Sequence, residues 1–289
     1  MYSFKRAGIF STAMILFALL LSKNTLADRL LINEDRNSKT YWQTDKAKLL
    51  DSPKMLEMLR SIDSKNKSNE EKIPTPKEVA AQITQLILAE QSSPEGVHIE
   101  TILTTLGAMA GFSCQMAIRD GFVADGKITL EQAFAEVKTK SGEIFYTGPF
   151  LNECLISNTE GQHSVWGFVG GAVQQLKKPL PNLKEIIMRV SSRIGYDDYG
   201  TPDLPEKNMP KKTSEELLWK YWNISRNTLI VNKQPHMFWP YIYGLSAQQL
   251  MVLGKDTIDP TLASKIVMEA AIAMSKIDPK RIHAYSLHK

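Results

Sequence analysis

From residue 75 onward, apolar side chains recur at helical spacing, and the polar residues between them carry start and stop signals. Thr75-Pro76-Lys77-Glu78 reads as a capping box with proline at the first helical position, and Val79, Ile83, Leu86 and Ile87 then share one face. Comparable starts occur at Asn182 with Glu185, at Thr213 with Glu216, and at Asp259 before Pro260, while Gly195 and Gly254 sit where C-terminal caps fall. These marks predict helices over 76 to 91, 98 to 119, 150 to 157, 163 to 177, 183 to 194, 214 to 231, 239 to 253 and 260 to 276. Between them, 135 to 147 alternates around Lys140-Ser141-Gly142 and predicts a small β-hairpin, with a short capped helix before it at Thr129 and Gln132. The fold class expected is mainly α: a compact multi-helix bundle of seven or eight helices with one hairpin, spanning 75 to 289.

Three of the helices carry the same short word of glycine, any residue, a small residue, any residue and glutamine. It reads Gly111-Phe112-Ser113-Cys114-Gln115, Gly170-Gly171-Ala172-Val173-Gln174, and Gly244-Leu245-Ser246-Ala247-Gln248. Residues four apart on a helix share a face, so each word presents a notch and an amide on one stripe. Gly107 and Gly167 extend two of these stripes by one turn. Glycine inside a helix costs about 1 kcal/mol relative to alanine, so its repeated use predicts helices that approach backbone to backbone, with Gln115, Gln174 and Gln248 bonding across the seams. The words are unequally spaced, which argues against a solenoid repeat.

The N-terminus is organised differently. Lys5 and Arg6 precede an uncharged run from Ala7 to Leu21, and Thr25-Leu26-Ala27 offers small residues at the positions a signal peptidase reads. Residues 1 to 27 therefore read as a signal peptide with a mature start at Asp28, which places the protein in the periplasm or outside the cell. The apolar run is shorter than the roughly 20 residues a membrane-spanning helix needs. Residues 28 to 74 form a polar arm or linker with one short helix expected between Pro53 and Ile62, where Met55, Leu56, Met58 and Leu59 can dock on the main body.

Losing the leader removes Lys5, Arg6 and Lys23 with no acid, which lowers the formal charge from +4 to +1. Such a near-neutral surface calls for neither a nucleic acid nor strong membrane affinity. The stretches 101 to 118 and 235 to 253 lack Asp, Glu, Lys and Arg, and an embedded envelope component is the reading they would support if they inserted. Their threonines, serines and glutamines, and a mean hydropathy of −0.22 for the whole chain, favour the centre of a water-soluble bundle instead. Two cysteines, Cys114 and Cys154, permit a single disulfide in an oxidising compartment or two buried thiols.

Catalytic templates fit poorly. Gly111 to Gln115 and Gly244 to Gln248 each end in glutamine where a nucleophile elbow needs glycine, and both lie within helical patterns. Asp120 to Ile128 resembles a calcium loop, but the frame that suits it puts Gly121, Val123 and Gln132 where carboxylates are required. His98, His163, His236, His283 and His288 form no metal-binding pair, so neither metal nor cofactor is expected. Acids and aromatics do cluster in one loop, Tyr196-Asp197-Asp198-Tyr199-Gly200-Thr201-Pro202-Asp203, and Asp197, Asp198 and His163 are the candidates for hydrolase-type acid/base work. The reading favoured is an exported helical binding or interaction protein with an unidentified protein partner.

Overall fold

The computed structural model describes residues 73–94, 96–157 and 163–284. The leader expected over 1 to 27, the short helix expected over 53 to 62 and almost all of the expected polar arm lie outside the described residues. The chain is mainly α-helical with one two-stranded antiparallel sheet. Its order is α1 (Pro76–Gln91), α2 (Ile99–Ile118), a π-helical turn (Arg119–Val123), α3 (Leu130–Ala133), β1 (Ala135–Lys138), β2 (Ile144–Thr147) and α4 (Pro149–Ile156). There follow α5 (Val165–Gln175), α6 (Leu183–Ser192), a short 3₁₀ turn (Glu206–Asn208) and α7 (Ser214–Val231). A second 3₁₀ turn (His236–Phe238) leads into α8 (Trp239–Leu253), α9 (Pro260–Met274) and α10 (Pro279–Ala284).

Local chemistry sets the boundaries. Thr75 and Glu78, Thr129 and Gln132, and Thr213 and Glu216 each close a capping box, satisfying amides that a helix start leaves open. Asn182 accepts from the Glu185 amide, and Asp259 from those of Thr261 and Leu262. α6 ends at Ser192, and Gly195 turns the chain two residues beyond the Arg193 cap with φ 83°. Two features go beyond the expected elements. The chain leaves α2 through a π-helical turn where a plain helix end was expected, and α10 follows α9 after a short bend.

α2 is the centre, since all of its residues are buried. α9 crosses it on one side and α8 and α7 pack on others, while α5 and α1 cover α8. With the turn that follows it, α2 is long and apolar enough to cross a membrane, but its most apolar stretch lies wholly inside the protein. The α2–α9 crossing is close because of glycine. A Cβ on Gly107 would stand 3.0 Å from Val267 Cα, and one on Gly111 would stand 2.6 Å from the Ala271 carbonyl carbon. One turn on, buried Gln115 donates to the carbonyls of Ser275 (2.7 Å), the C-cap of α9, and of Ile277 (3.1 Å) just beyond it.

The other two words meet each other across the α5–α8 seam. A Cβ on Gly244 would press the Phe168 ring at 2.8 Å, and one on Gly171 would lie 3.7 Å from Gln248 Nε2. Gly170 instead packs against Trp166 of its own helix. Gly167 and Gln174, expected to pack helices, are exposed, because α5 turns that side to solvent. Trp222 anchors the space between α7, α8 and α2, edge-on to Phe112 at 4.8 Å and Trp239 at 6.2 Å.

Cys114 of α2 and Cys154 of α4 form a disulfide with Cα atoms 5.9 Å apart. The bridge closes a segment containing the π-helical turn, α3 and the hairpin.

Candidate functional site

The acidic loop after α6 begins with two consecutive turns, Tyr196 to Tyr199 and Asp198 to Thr201, joined through Gly200 at φ 80°. From there it is fastened along its length. The Tyr199 hydroxyl donates to the Ala273 carbonyl at 2.7 Å, and Ser214 Oγ donates to the Gly200 carbonyl at 2.9 Å. Asn208 Nδ2 donates to Glu100 Oε1, and the Lys211 amide donates to Thr101 Oγ1. Burial pushes the Tyr199 phenol above its ordinary range, which keeps that hydroxyl a donor.

Under the loop lies an ion-pair network centred on Glu269, the one acid in the apolar face of α9. Its Oε2 accepts from the Asp203 amide at 2.7 Å and from Arg189 Nη1 at 3.2 Å. Arg189 also donates to the Thr201 carbonyl, and Lys265 Nζ lies 3.2 Å from Asp203 Oδ2 and 3.8 Å from Glu269 Oε1. Burial raises the Glu269 carboxyl over the opposing pull of the Asp203 amide, Arg189 and Lys265. Glu269 also lines a small niche with Arg189, Val190, Arg193, Asp198, Gly200 and Thr201, about 210 Å³ including its open mouth. Each charge in this network has an opposite charge beside it, so the arrangement clamps the loop onto α6 and α9.

The candidate acid/base residues are placed apart. Asp198 pairs with Arg193 at 2.8 Å, and Asp197 is exposed at the surface beside it. His163 sits on the α5–α8 face, stacked on Phe168 at 5.6 Å and edge-on to Tyr241 at 6.2 Å, and neither it nor Asp197 lines the niche. Among the described residues no group of three His, Cys, Asp or Glu side chains is arranged to hold a metal ion.

A second ionisable group, missed from sequence, sits where the π-helical turn faces α7 and the start of α8. Such turns are rare and recur at functional sites. Here the turn carries Arg119 towards the hairpin, where the guanidinium lies 4.4 Å from the Tyr146 ring centroid and 5.0 Å from that of Phe134. Asp120 follows. Burial pushes its carboxyl up from 3.8 to about 6, against the lowering charges of Arg226 and Arg119. His236, edge-on to Trp239 at 4.4 Å, is pushed down from 6.5 to about 4 by burial and then by Arg226, against Asp125.

These two shifts oppose one another in stability. A carboxyl whose folded pKa is raised makes the fold less stable as pH climbs from about 4 to 6, by ~3 kcal/mol at most. A histidine whose folded pKa is lowered makes it more stable as pH climbs from about 4 to 6.5, by a similar ~3 kcal/mol. The contributions of these two groups therefore offset one another across this window. Relative to the wild type, Asp120→Asn should gain stability with rising pH and His236→Asn should lose it, read by urea denaturation at several pH values. Variants that both track the wild type would show that the two groups are solvated in the folded protein.

Lys276, just past α9, is buried, its Nζ donates to the Ile272 carbonyl and among the described residues to no other group, and burial pushes its ammonium down from 10.5 to about 8. A base whose folded pKa is lowered costs stability at neutral pH, and that cost fades as pH rises from 8 towards 10.5. Lys276→Met should thus raise stability at pH 7 by about 1–3 kcal/mol, with the gain shrinking by pH 10. A gain that did not change with pH would assign the effect to packing alone.

No protein-family model matches the chain, and comparison with curated proteins and with solved structures finds no similar sequence or fold.

Proposed function

We propose that this chain is an exported helical protein of the bacterial envelope or exterior that works by binding another protein, without catalysis or a cofactor. The observation that carries this reading is the Cys114–Cys154 disulfide, which suits an oxidising compartment and agrees with a leader cleaved after Ala27. The acidic loop supports it as well, because Asp198 and Asp203 are engaged with Arg193, Arg189 and Lys265 in fastening the loop, while Tyr196 and Asp197 remain outside for contact.

Fractionation of the native cell followed by mass spectrometry of the unreduced protein tests the proposal. The expected product starts at Asp28, carries the bridge and is recovered outside the cytosol. Chemical cross-linking in the intact envelope should join it to a second protein. An intact leader with two free thiols, on protein recovered from the cytosol, would overturn the proposal.

A further inference from the structure

Among the described residues the hairpin has one covered edge and one open edge. On the covered side, the Tyr146 amide donates to the Lys276 carbonyl at 2.7 Å and Phe145 bridges to Ile277, so β2 is already flanked. Because Tyr146 points its amide away from β1, the pair Glu136–Tyr146 lacks ladder bonds, and Ala135–Thr147 and Val137–Phe145 exchange them. Glu136 and Lys138 therefore direct their own N–H and C=O groups outward, along a strand exposed at every position. The turn that holds this strand is braced: Ser141 donates to Glu143 Oε2, and Arg281 Nη1 pairs with Glu143 Oε1 at 3.0 Å.

We propose that this edge pairs with the same edge of a second copy of the chain. In antiparallel pairing about a twofold axis at Val137, Glu136 faces the partner's Lys138 and Lys138 faces the partner's Glu136. Each of those pairs exchanges two backbone hydrogen bonds, giving one continuous four-stranded sheet. Val137, 38 % exposed, meets its own copy in the closely spaced position between them. Charge selects this register. Sliding by one step in either direction that keeps outward groups opposed brings glutamate to glutamate or lysine to lysine, and like charges directly opposite are destabilising. Charged edge residues ordinarily discourage strand pairing, whereas here their alternation leaves one register complementary.

A pairing four residues long falls below the roughly 1,200 Å² of a stable interface, so the dimer forms at high concentration and dissociates on dilution. The inference does not rest on export or on any other partner.

The full-length mature protein, with its native disulfide, provides the test. Sedimentation equilibrium at rising concentration should show reversible dimerisation. Glu136→Lys alone and Lys138→Glu alone should each weaken it about tenfold or more, since two attractive pairs become repulsive. An equimolar mixture of the two variants should restore dimers, because each then supplies the charges the other lacks. Val137→Cys should form a disulfide-linked dimer faster than Lys140→Cys, placed on the hairpin turn. A protein that stays monomeric and shows equal cross-linking at the two cysteines would overturn the proposal. So would dimerisation that both charge reversals leave unchanged.

Discussion

Gly111→Ala should cost about 3 kcal/mol of folding stability, although it adds one methyl group to a helix that alanine ordinarily favours. The added carbon would stand 2.6 Å from the Ala271 carbonyl carbon and 2.7 Å from its Cα. Those atoms are backbone, and cannot swing aside as a side-chain tip does. Relief requires α2 and α9 to part, yet both helices are enclosed by neighbours. Parting them would also stretch the bonds from Gln115 to the end of α9, and a buried amide left unpaired costs a further ~1–3 kcal/mol. Gly167→Ala is the control. Its methyl would lie 3.5 Å from Ser164 Oγ on an exposed turn, so the change should be neutral or raise stability by up to ~1 kcal/mol. Equal urea midpoints for the two variants would refute close backbone approach at Gly111.

The helical frame was legible because its punctuation is local. A threonine and a glutamate three residues apart settle a helix start between themselves, so Thr75, Thr129 and Thr213 mark boundaries that the structure shows. The hairpin followed from alternation around Lys140-Ser141-Gly142 in the same way. The π-helical turn was not legible. Its cause is tertiary: Arg119 reaches the rings of Phe134 and Tyr146, and Asp120 the field of Arg226, and none of those partners adjoins in sequence.

The site was legible in outline only. Acids and aromatics in a long loop identify Tyr196 to Asp203 as unusual, but the pattern does not tell which acids are free and which are paired. Asp203 and Asp198 are bound to Arg189, Lys265 and Arg193, and the residue at the centre of the network, Glu269, lies 66 residues beyond the Asp203 amide it accepts from. One signal was available. Glu269 is the single acid in the run from Pro260 to Met274, four residues after Lys265, and an acid kept in such a face requires a partner. The same principle would have drawn attention to Asp120 at the end of the apolar run of α2.

Removing the disulfide should cost about 4 kcal/mol. Cys114 and Cys154 are 40 residues apart, and closing a loop of that length in the unfolded chain removes that much conformational freedom at 25 °C. Cys114→Ala with Cys154→Ala, and reduction of the wild type, should both lower the urea midpoint, the alanine pair slightly more because Cys114 is fully buried in α2. Amide exchange should show α4 loosening first, since Leu151 and Leu155 are its only buried residues. Loss of less than ~0.5 kcal/mol on reduction would mean that the unfolded chain is already constrained, and that the bridge contributes little. If the larger loss is observed, it consumes much of the roughly 5–15 kcal/mol by which proteins of ordinary size are stable. The fold would then depend on the bridge, and on the proposed export a chain whose thiols stayed reduced would remain close to its unfolding threshold until the bridge formed.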